Sequence, residues 1–273
     1  MTKPYLIAID LDGTLLKDDK TISLHTKNVL KKAIAHGHHV VISTGRPFRG
    51  SAHYYKELEL TTPIINFNGA FIHHPLDSTW KTHHNPLDLN TAHNIVNTCL
   101  DFEVKNVIAE VLDDVYLHYE DDFITNTFMI ESSSMTIGHL HQSLQHDPTS
   151  LLIRPHDHHL KELRELLKNQ HAEVIDHRVW AAPWNIIEIV RAGLNKAVGL
   201  KHVADHFNVP QERIIAFGDE DNDLEMIEYA GHGIAMENAI PELKNIANGV
   251  TLSNEEDGIA CFLEDLLSLK ESL

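Results

Sequence analysis

The chain has 273 residues, 42% of them hydrophobic, with 22 Lys and Arg against 40 Asp and Glu for a formal charge of -18. That length favours two domains over one core, and the apolar content argues against a disordered chain. The acidic excess repels a phosphate backbone and anionic membranes, so neither is expected as a partner, and no apolar run is long enough to span a bilayer.

In chain order, an apolar run from Tyr5 to Ile9 predicts a buried strand that ends in Asp10-Leu11-Asp12-Gly13-Thr14. Two readings fit this ending: turn residues before Gly13, or charged oxygens placed just beyond the carboxyl end of a strand, where open α/β sheets bind ligands. A helix is expected from Ser23 to a stop at Gly37, then a strand over residues 39–43 ending in Ser43-Thr44-Gly45-Arg46. Hydroxyl, glycine and arginine at a helix start make an anion site, although the same residues are also ordinary turn chemistry. Residues 64–70 read as a third strand leading into a turn, and strand-helix alternation implies parallel pairing with right-handed crossovers.

From about His83 the texture changes. A helix is expected over residues 88–100, strands over 104–108 and 115–119 around an Asp113-Asp114 turn, a strand over 151–153, and an amphipathic helix over 159–167. Strands over 171–175 and 185–190 follow, and the mixture predicts an α+β module. Trp180 and Trp184, near its end, suit either a ligand pocket or the module's own core. The βα alternation then resumes: a helix over 196–207, a strand over 213–217, the acidic run Gly218-Asp219-Glu220-Asp221-Asn222-Asp223, a helix over 224–229, and a short strand, helix, strand and closing helix to residue 269. The expected fold is α/β: a Rossmann-like three-layer parallel-sheet core, residues 1–82 and 190–273, with an inserted α+β cap domain, residues 83–189.

If the strands before the two acidic runs are neighbours, Asp10, Asp12, Asp219 and Asp223 converge. Clustered carboxylates do not all stay ionised without compensation, and a hard divalent cation with oxygen ligands supplies it. A shared-proton pair without metal is the alternative, but it leaves Lys196 unexplained. An EF-hand is disfavoured, because the second run lacks the glycine and final glutamate in register. The 22 histidines form no metal-ligand pattern such as H-E-x-x-H and are expected as solvated surface residues that make the charge less negative below about pH 6.5. Only two cysteines, Cys99 and Cys261, are present, so a disulfide framework is excluded and a reducing, cytoplasmic setting is expected.

Asp10-Leu11-Asp12-Gly13-Thr14-Leu15, Ser43-Thr44-Gly45-Arg46, Lys196 and Gly218-Asp219-Glu220-Asp221-Asn222-Asp223 resemble, in order, the four motifs of the haloacid dehalogenase-like (HAD) superfamily. Asn68-Gly69-Ala70 and Ala235-Met236-Glu237-Asn238-Ala239 further resemble its Cof-type subfamily, whose members carry a large α/β cap. Two departures, Asn195-Lys196-Ala197 for the usual Ser-Lys-Gly and Glu220 inside the fourth motif, remove no functional group. The resemblance implies a magnesium-dependent phosphatase acting on a small phosphorylated metabolite such as a sugar phosphate. Asp10 would be the nucleophile and Asp12 the general acid and base, with its main-chain carbonyl also on the metal. Thr44, Gly45, Arg46, Lys196 and Asn222 would bind the phosphate, and Asp10, Asp12, Asp219 and Asp223 the Mg2+. Each has a plainer alternative: Lys196 solvated, Thr44 satisfying a turn, Arg46 paired with a nearby acid. A phosphomutase of the same superfamily or a non-catalytic phosphometabolite-binding protein remain open, as does the oligomeric state.

Overall fold

Tyr5 to Ile9 contains only apolar residues, and a strand with such a run is stable only when both its faces are covered. In the computed structural model, which describes residues 3–127, 135–171, 175–180 and 185–269, strand β1 (Leu6–Ile9) is fully buried in the interior of a sheet. The chain folds as two compact units, one of residues 1–83 and 195–273, the other of residues 84–194.

In the first unit, β1 is followed by α1 (Leu24–Ala35), β2 (His39–Ile42), α2 (Ala52–Glu57), β3 (Ile64–Asn66) and β4 (Phe71–His73), and a two-residue strand β5 (His83–His84) marks the end of the segment. The Ser23 hydroxyl caps α1 by accepting the Thr26 N–H at 3.0 Å, as its position before the apolar stripe predicts. The second unit holds α3 (Leu89–Asp101), β6 (Asn106–Val111), β7 (Asp114–Leu117), α4 (Asp122–Thr127), β8 (Met135–Ile137), α5 (Leu140–Ser143), β9 (Ser150–Arg154), α6 (Leu160–His171), β10 (Ile175–Trp180) and β11 (Ile186–Arg191). The first unit then resumes with α7 (Lys196–Phe207), β12 (Ile214–Gly218), α8 (Leu224–Tyr229), β13 (His232–Ala235), α9 (Pro241–Ile246), β14 (Gly249–Val250) and α10 (Gly258–Leu267).

The main sheet has the order β14-β13-β12-β1-β2, and every pair in it is parallel. Side chains alternate between its faces with the period of a strand. Ile7, Ile9, Val40, Ile42, Ile215 and Phe217 pack on one side with Val29 and Leu30 of α1, Tyr54 and Tyr55 of α2, and Ile259 and Leu263 of α10. Leu6, Ala8, Val41, Ile214 and Ala216 pack on the other with Leu200 and Val203 of α7, Met226 of α8 and Leu243 of α9. The result is a three-layer sandwich, with β1 and β12 adjacent and in register from Leu6↔Ile214 to Ile9↔Phe217. The carboxyl ends of β1 and β12 therefore open side by side, at the place where such sheets hold ligands.

The second unit is built on a six-stranded sheet of order β10-β11-β9-β6-β7-β8, antiparallel except for the β7–β8 pair. Val107, Ala109, Leu151, Ile153, Ile187 and Ile189 of one face pack against Ile95 and Cys99 of α3 and Leu163 and Leu167 of α6. No helix of the described residues is long and apolar enough to cross a membrane.

Three expectations change. The third strand stops at Asn66, joins the main sheet by a single parallel bridge from Ser43 to Ile65, and pairs antiparallel with β4. The cause is local: Phe67 and Asn68 take positive φ angles of 50° and 52°, which ends an extended run. Of the strand expected over residues 171–175, His171 belongs instead to α6, which meets no glycine or proline before it, Ile175 is the first residue of β10 as described, and residues 172–174 lie outside the described residues. The histidines are not uniformly solvated: His38 and His118 are buried, and the Nδ1 of His38 accepts the Tyr5 N–H at 3.0 Å. Trp184 and the side chain of Trp180 lie outside the described residues.

Candidate active site

β1 delivers Asp10 to the end of the sheet, and β12 delivers Asp219 beside it. Their carboxylates and that of Asp223 lie within 4.8 Å of one another, all three residues buried. The turn after β1 permits this approach. Gly13 has φ 76°, and a Cβ on it would stand 2.1 Å from Asp219 Oδ2, so a side chain here would displace the carboxylate. The Thr14 hydroxyl donates to Asp219 Oδ1 at 2.6 Å.

Lys196 enters from the first turn of α7, whose N-cap Asn195 accepts the Val198 N–H at 3.0 Å. A cation at a helix N-terminus opposes the helix dipole, and full burial adds desolvation. Two carboxylates offset both: Lys196 Nζ donates to Asp10 Oδ1 at 2.6 Å and to Asp223 Oδ1 at 2.7 Å. Burial would discharge the amine, yet the Asp10 and Asp223 charges hold its pKa above the ordinary lysine value. Asp223 Oδ2 accepts the main-chain N–H groups of Asp219 at 3.0 Å and Glu220 at 3.2 Å, so both of its oxygens are engaged.

One ammonium does not neutralise three acids. Burial foremost, against the pull of Lys196, pushes Asp10 up to about 7. Burial and the Asp10 charge push Asp219 up to about 8, against the Thr14 hydrogen bond. A site whose carboxylates resist ionising, made of oxygen donors alone, has the charge and chemistry of a hard divalent cation site, and Mg2+ fits it. Asp10 and Asp219 are the carboxylates placed to hold such an ion. The Asp12 side chain is outside this group.

Asp12 faces Arg46 instead. Arg46 Nε donates to Asp12 Oδ2 at 2.6 Å and its terminal nitrogen to Oδ1 at 2.7 Å, a two-pronged pair, while Lys20 Nζ reaches Oδ1 at 2.8 Å. Burial alone would raise the Asp12 carboxyl, but these hydrogen bonds and charges bring it down to about 2. The guanidinium also donates to Gly50 O at 3.0 Å and lies 5.6 Å from the centre of the Tyr54 ring. Thr44 is buried, and its hydroxyl accepts the Arg46 N–H at 3.1 Å. Asn222 donates from Nδ2 to Asn68 Oδ1 at 3.1 Å. Asn68 stands against Gly45, where a Cβ would come within 3.2 Å of its Nδ2. Thr14, Lys20 and Asn68 thus join the residues picked out from the sequence; the first and last lie inside quoted motifs, but nothing in a single sequence marks Lys20.

A parallel sheet with clustered acids and a buried lysine at one end, its chain interrupted by an α+β unit, defines a Rossmann-like α/β core with an inserted domain. A family model described as haloacid dehalogenase-like hydrolase matches residues 7–263. The chain is 54% identical over 268 residues to the 5-amino-6-(5-phospho-D-ribitylamino)uracil phosphatase YitU of Bacillus subtilis strain 168, covering 98% of this chain and 99% of the relative. It is 32% identical over 297 residues to a second phosphatase with the same named substrate from that strain, YwtE, covering 96% and 98%. A crystal structure of a haloacid dehalogenase-like hydrolase from Bacteroides thetaiotaomicron superposes with a TM-score of 0.83 at 26% identity, covering 97% of this chain and all of that one. The chain belongs to the haloacid dehalogenase-like hydrolases, in their Cof-type branch, and is a phosphomonoester hydrolase.

Proposed function

We propose that this protein is a magnesium-dependent phosphatase that works through an aspartyl-phosphate on Asp10, and that its substrate is 5-amino-6-(5-phospho-D-ribitylamino)uracil. The substrate is carried over from the two Bacillus relatives. The chemistry rests on one observation above the others: Asp10, at the end of a central strand, holds the buried Lys196 at 2.6 Å with Asp219 and Asp223 grouped around it.

When bound, Mg2+ screens the charge of the carboxylates from that of the phosphate. Asp10 attacks phosphorus, forming an O–P bond as the bond to the leaving oxygen breaks. Lys196 holds the Asp10 oxygen in place and neutralises negative charge on the transferring group. Thr44, Gly45, Arg46 and Asn222 receive the remaining phosphate oxygens. Asp10, Asp219 and the Asp12 carbonyl would hold the metal, and Asp223 fixes Lys196 and the Asp219-Glu220 main chain. Once its proton has gone to the leaving alkoxide, Asp12 is an ionised base suited to taking a proton from the water that attacks phosphorus, breaking the bond to the Asp10 oxygen and releasing phosphate. To act first as the acid toward the leaving alkoxide, it has to leave Arg46 and gain a proton. Arg46 turning from Asp12 to the incoming phosphate accomplishes that release. Residues 84–194 serve as the specificity domain for the leaving group, and the free Cys99 and Cys261 suit a reducing cytoplasm.

The test is phosphate release from 5-amino-6-(5-phospho-D-ribitylamino)uracil and from p-nitrophenyl phosphate. Both are expected to require Mg2+ and to stop with EDTA. Asp10→Asn should lower turnover on the order of 10^4-fold or more while the circular dichroism spectrum is kept. Wild-type turnover in Asp10→Asn ends the mechanism. Hydrolysis of the aryl phosphate but not of the ribityl ester keeps the mechanism and ends the substrate assignment.

A further inference from the structure

Between β3 and β4 the chain makes a turn with three successive positive φ angles: Phe67 at 50°, Asn68 at 52° and Gly69 at 95°. Side chains rarely adopt this left-handed region, and a buried aromatic does so only when its surroundings impose it. Phe67 and Asn68 are both buried. The turn is held from outside by the loop after β2: Phe67 N donates to Arg46 O at 3.3 Å and Asn68 N to Thr44 O at 3.1 Å. Asn66 Nδ2 adds a bond to Arg46 O at 2.9 Å and another to Ser51 Oγ at 2.9 Å.

Asn68 and Gly69 then meet different parts of the phosphate side of the site. Asn68 Oδ1 accepts from Asn222 Nδ2 at 3.1 Å, and its carboxamide backs Gly45 closely, so that a Cβ there would stand 3.2 Å from Nδ2 and press the carboxamide back by a few tenths of an ångström. A Cβ on Gly69 would fall 2.4 Å from the main-chain oxygen of Asn195, the residue that caps α7 and precedes Lys196. The loop after β2, the loop after β12 and the start of α7 come from three distant stretches of the chain, and this turn touches all three.

We propose that the Phe67-Asn68-Gly69 turn is the positioning device of the phosphate-binding side of the site, with Asn68 as its positioning residue, acting through Asn222 and Gly45. Asn68 fixes the Asn222 carboxamide and supports the Gly45 main chain, so that both meet the phosphate without reorganising. Gly69 sets the depth at which the N-terminus of α7, and with it Lys196, seats against the sheet. The strain of the left-handed run persists because hydrogen bonds to Arg46, Thr44 and Ser51 hold it. This proposal rests on the reading of Gly45 and Asn222 as phosphate ligands given above.

The experiment uses the full chain with Mg2+, p-nitrophenyl phosphate as substrate and inorganic phosphate as competing ligand. Asn68→Gly keeps the left-handed backbone at no steric cost and removes the carboxamide. Expected is a roughly tenfold weaker inhibition by inorganic phosphate, with Asn222→Ala giving a similar loss and the double variant little worse than either, since both remove one interaction. Circular dichroism and the unfolding midpoint of Asn68→Gly control for a merely structural effect, which would lower the midpoint and leave the phosphate inhibition constant unchanged. Independent, multiplying losses in the double variant overturn the proposal, as does an unchanged inhibition constant in Asn68→Gly when Asn222→Ala weakens it. An unchanged constant in Asn222→Ala counts instead against Asn222 as a phosphate ligand, and the two failures are thereby distinguished.

Discussion

Lys196 shows how one side chain ties several demands together. Its ammonium has no route to water and two carboxylates within 2.7 Å, so removing it leaves Asp10 and Asp223 buried beside one another without a cation. Lys196→Met should destabilise the metal-free protein by about 3–5 kcal/mol near neutral pH, the usual cost of breaking a buried pair, and lower turnover by about 10^2–10^3-fold. The stability deficit should shrink as the pH falls toward 5, because Asp10, which burial pushes up to about 7, takes up a proton and no longer repels its neighbour; urea unfolding at several pH values measures this. A deficit independent of pH would mean that packing, not charge, is what the lysine supplies. That Asp10, Asp219, Asp223 and Lys196 gather at one end of the sheet could be read from the sequence, because strand-end acids and a lysine in a motif announce themselves. How they divide the work could not. The pairing of Asp12 with Arg46 and Lys20, in place of a fourth carboxylate beside Asp10, is a matter of side-chain direction, which spacing does not encode.

At the scale of elements, α7 carries the point most open to experiment. The sequence has Asn195 where a serine is usual in this branch of the family, and the structure gives a reason why the exchange is harmless. Both side chains accept a hydrogen bond from the third residue of the helix, here Val198. Asn195→Ser is expected to leave the unfolding free energy within about 0.5 kcal/mol, whereas Asn195→Ala should cost about 1 kcal/mol, read from denaturant midpoints. An alanine variant as stable as the parent would show that tertiary packing alone holds the helix start. The long elements of the main sheet were legible from their apolar runs, since a strand buried on both faces has little else in it. The short ones were not: α4, α5 and β8 each span six residues or fewer, too few to display a period. The turn after β3 is hidden for another reason. Phe67 is a good strand residue, and only the hydrogen bonds from the β2 loop push it into the left-handed region.

For the molecule as a whole, pH acts on stability from both sides. Burial lowers the pKa of His38, His39 and His73, the last to about 4, so the unfolded chain binds more protons there and stability falls as the pH drops below about 6.5. Asp10 and Asp219 act oppositely. Their folded pKa values, about 7 and about 8, lie above the ordinary carboxylate value, so the native state holds protons that the unfolded state has released, and stability falls as the pH rises from about 4 through 8. The metal-free protein should therefore be most stable near pH 6. Saturating Mg2+ should raise the thermal midpoint by about 5 °C or more at pH 8.5 and by much less at pH 5.5, where the acids hold protons that the cation must displace. Thermal unfolding with and without Mg2+ across that range decides it; an equal shift at both ends would show that the acids are not under charge strain. The two-unit organisation was visible from composition and texture, because a βα rhythm that stops and resumes leaves a trace. The partial burial of the histidines was not visible, since it depends on which neighbours a loop brings over them.

The pairing of β1 with β12 has a consequence for how the protein is made. Translation delivers β1 first, and its partner emerges only after the whole of residues 84–194 has left the ribosome. Until then one edge of β1 is bare and Asp10 has neither Lys196, 186 residues onward, nor Asp219 beside it. The intervening unit is contiguous in the chain and can collapse on its own while the rest waits. The nascent polypeptide thus assembles its acidic cluster in one late event, when the second half of the split sheet docks, and no product of synthesis that ends before Asp223 can carry it.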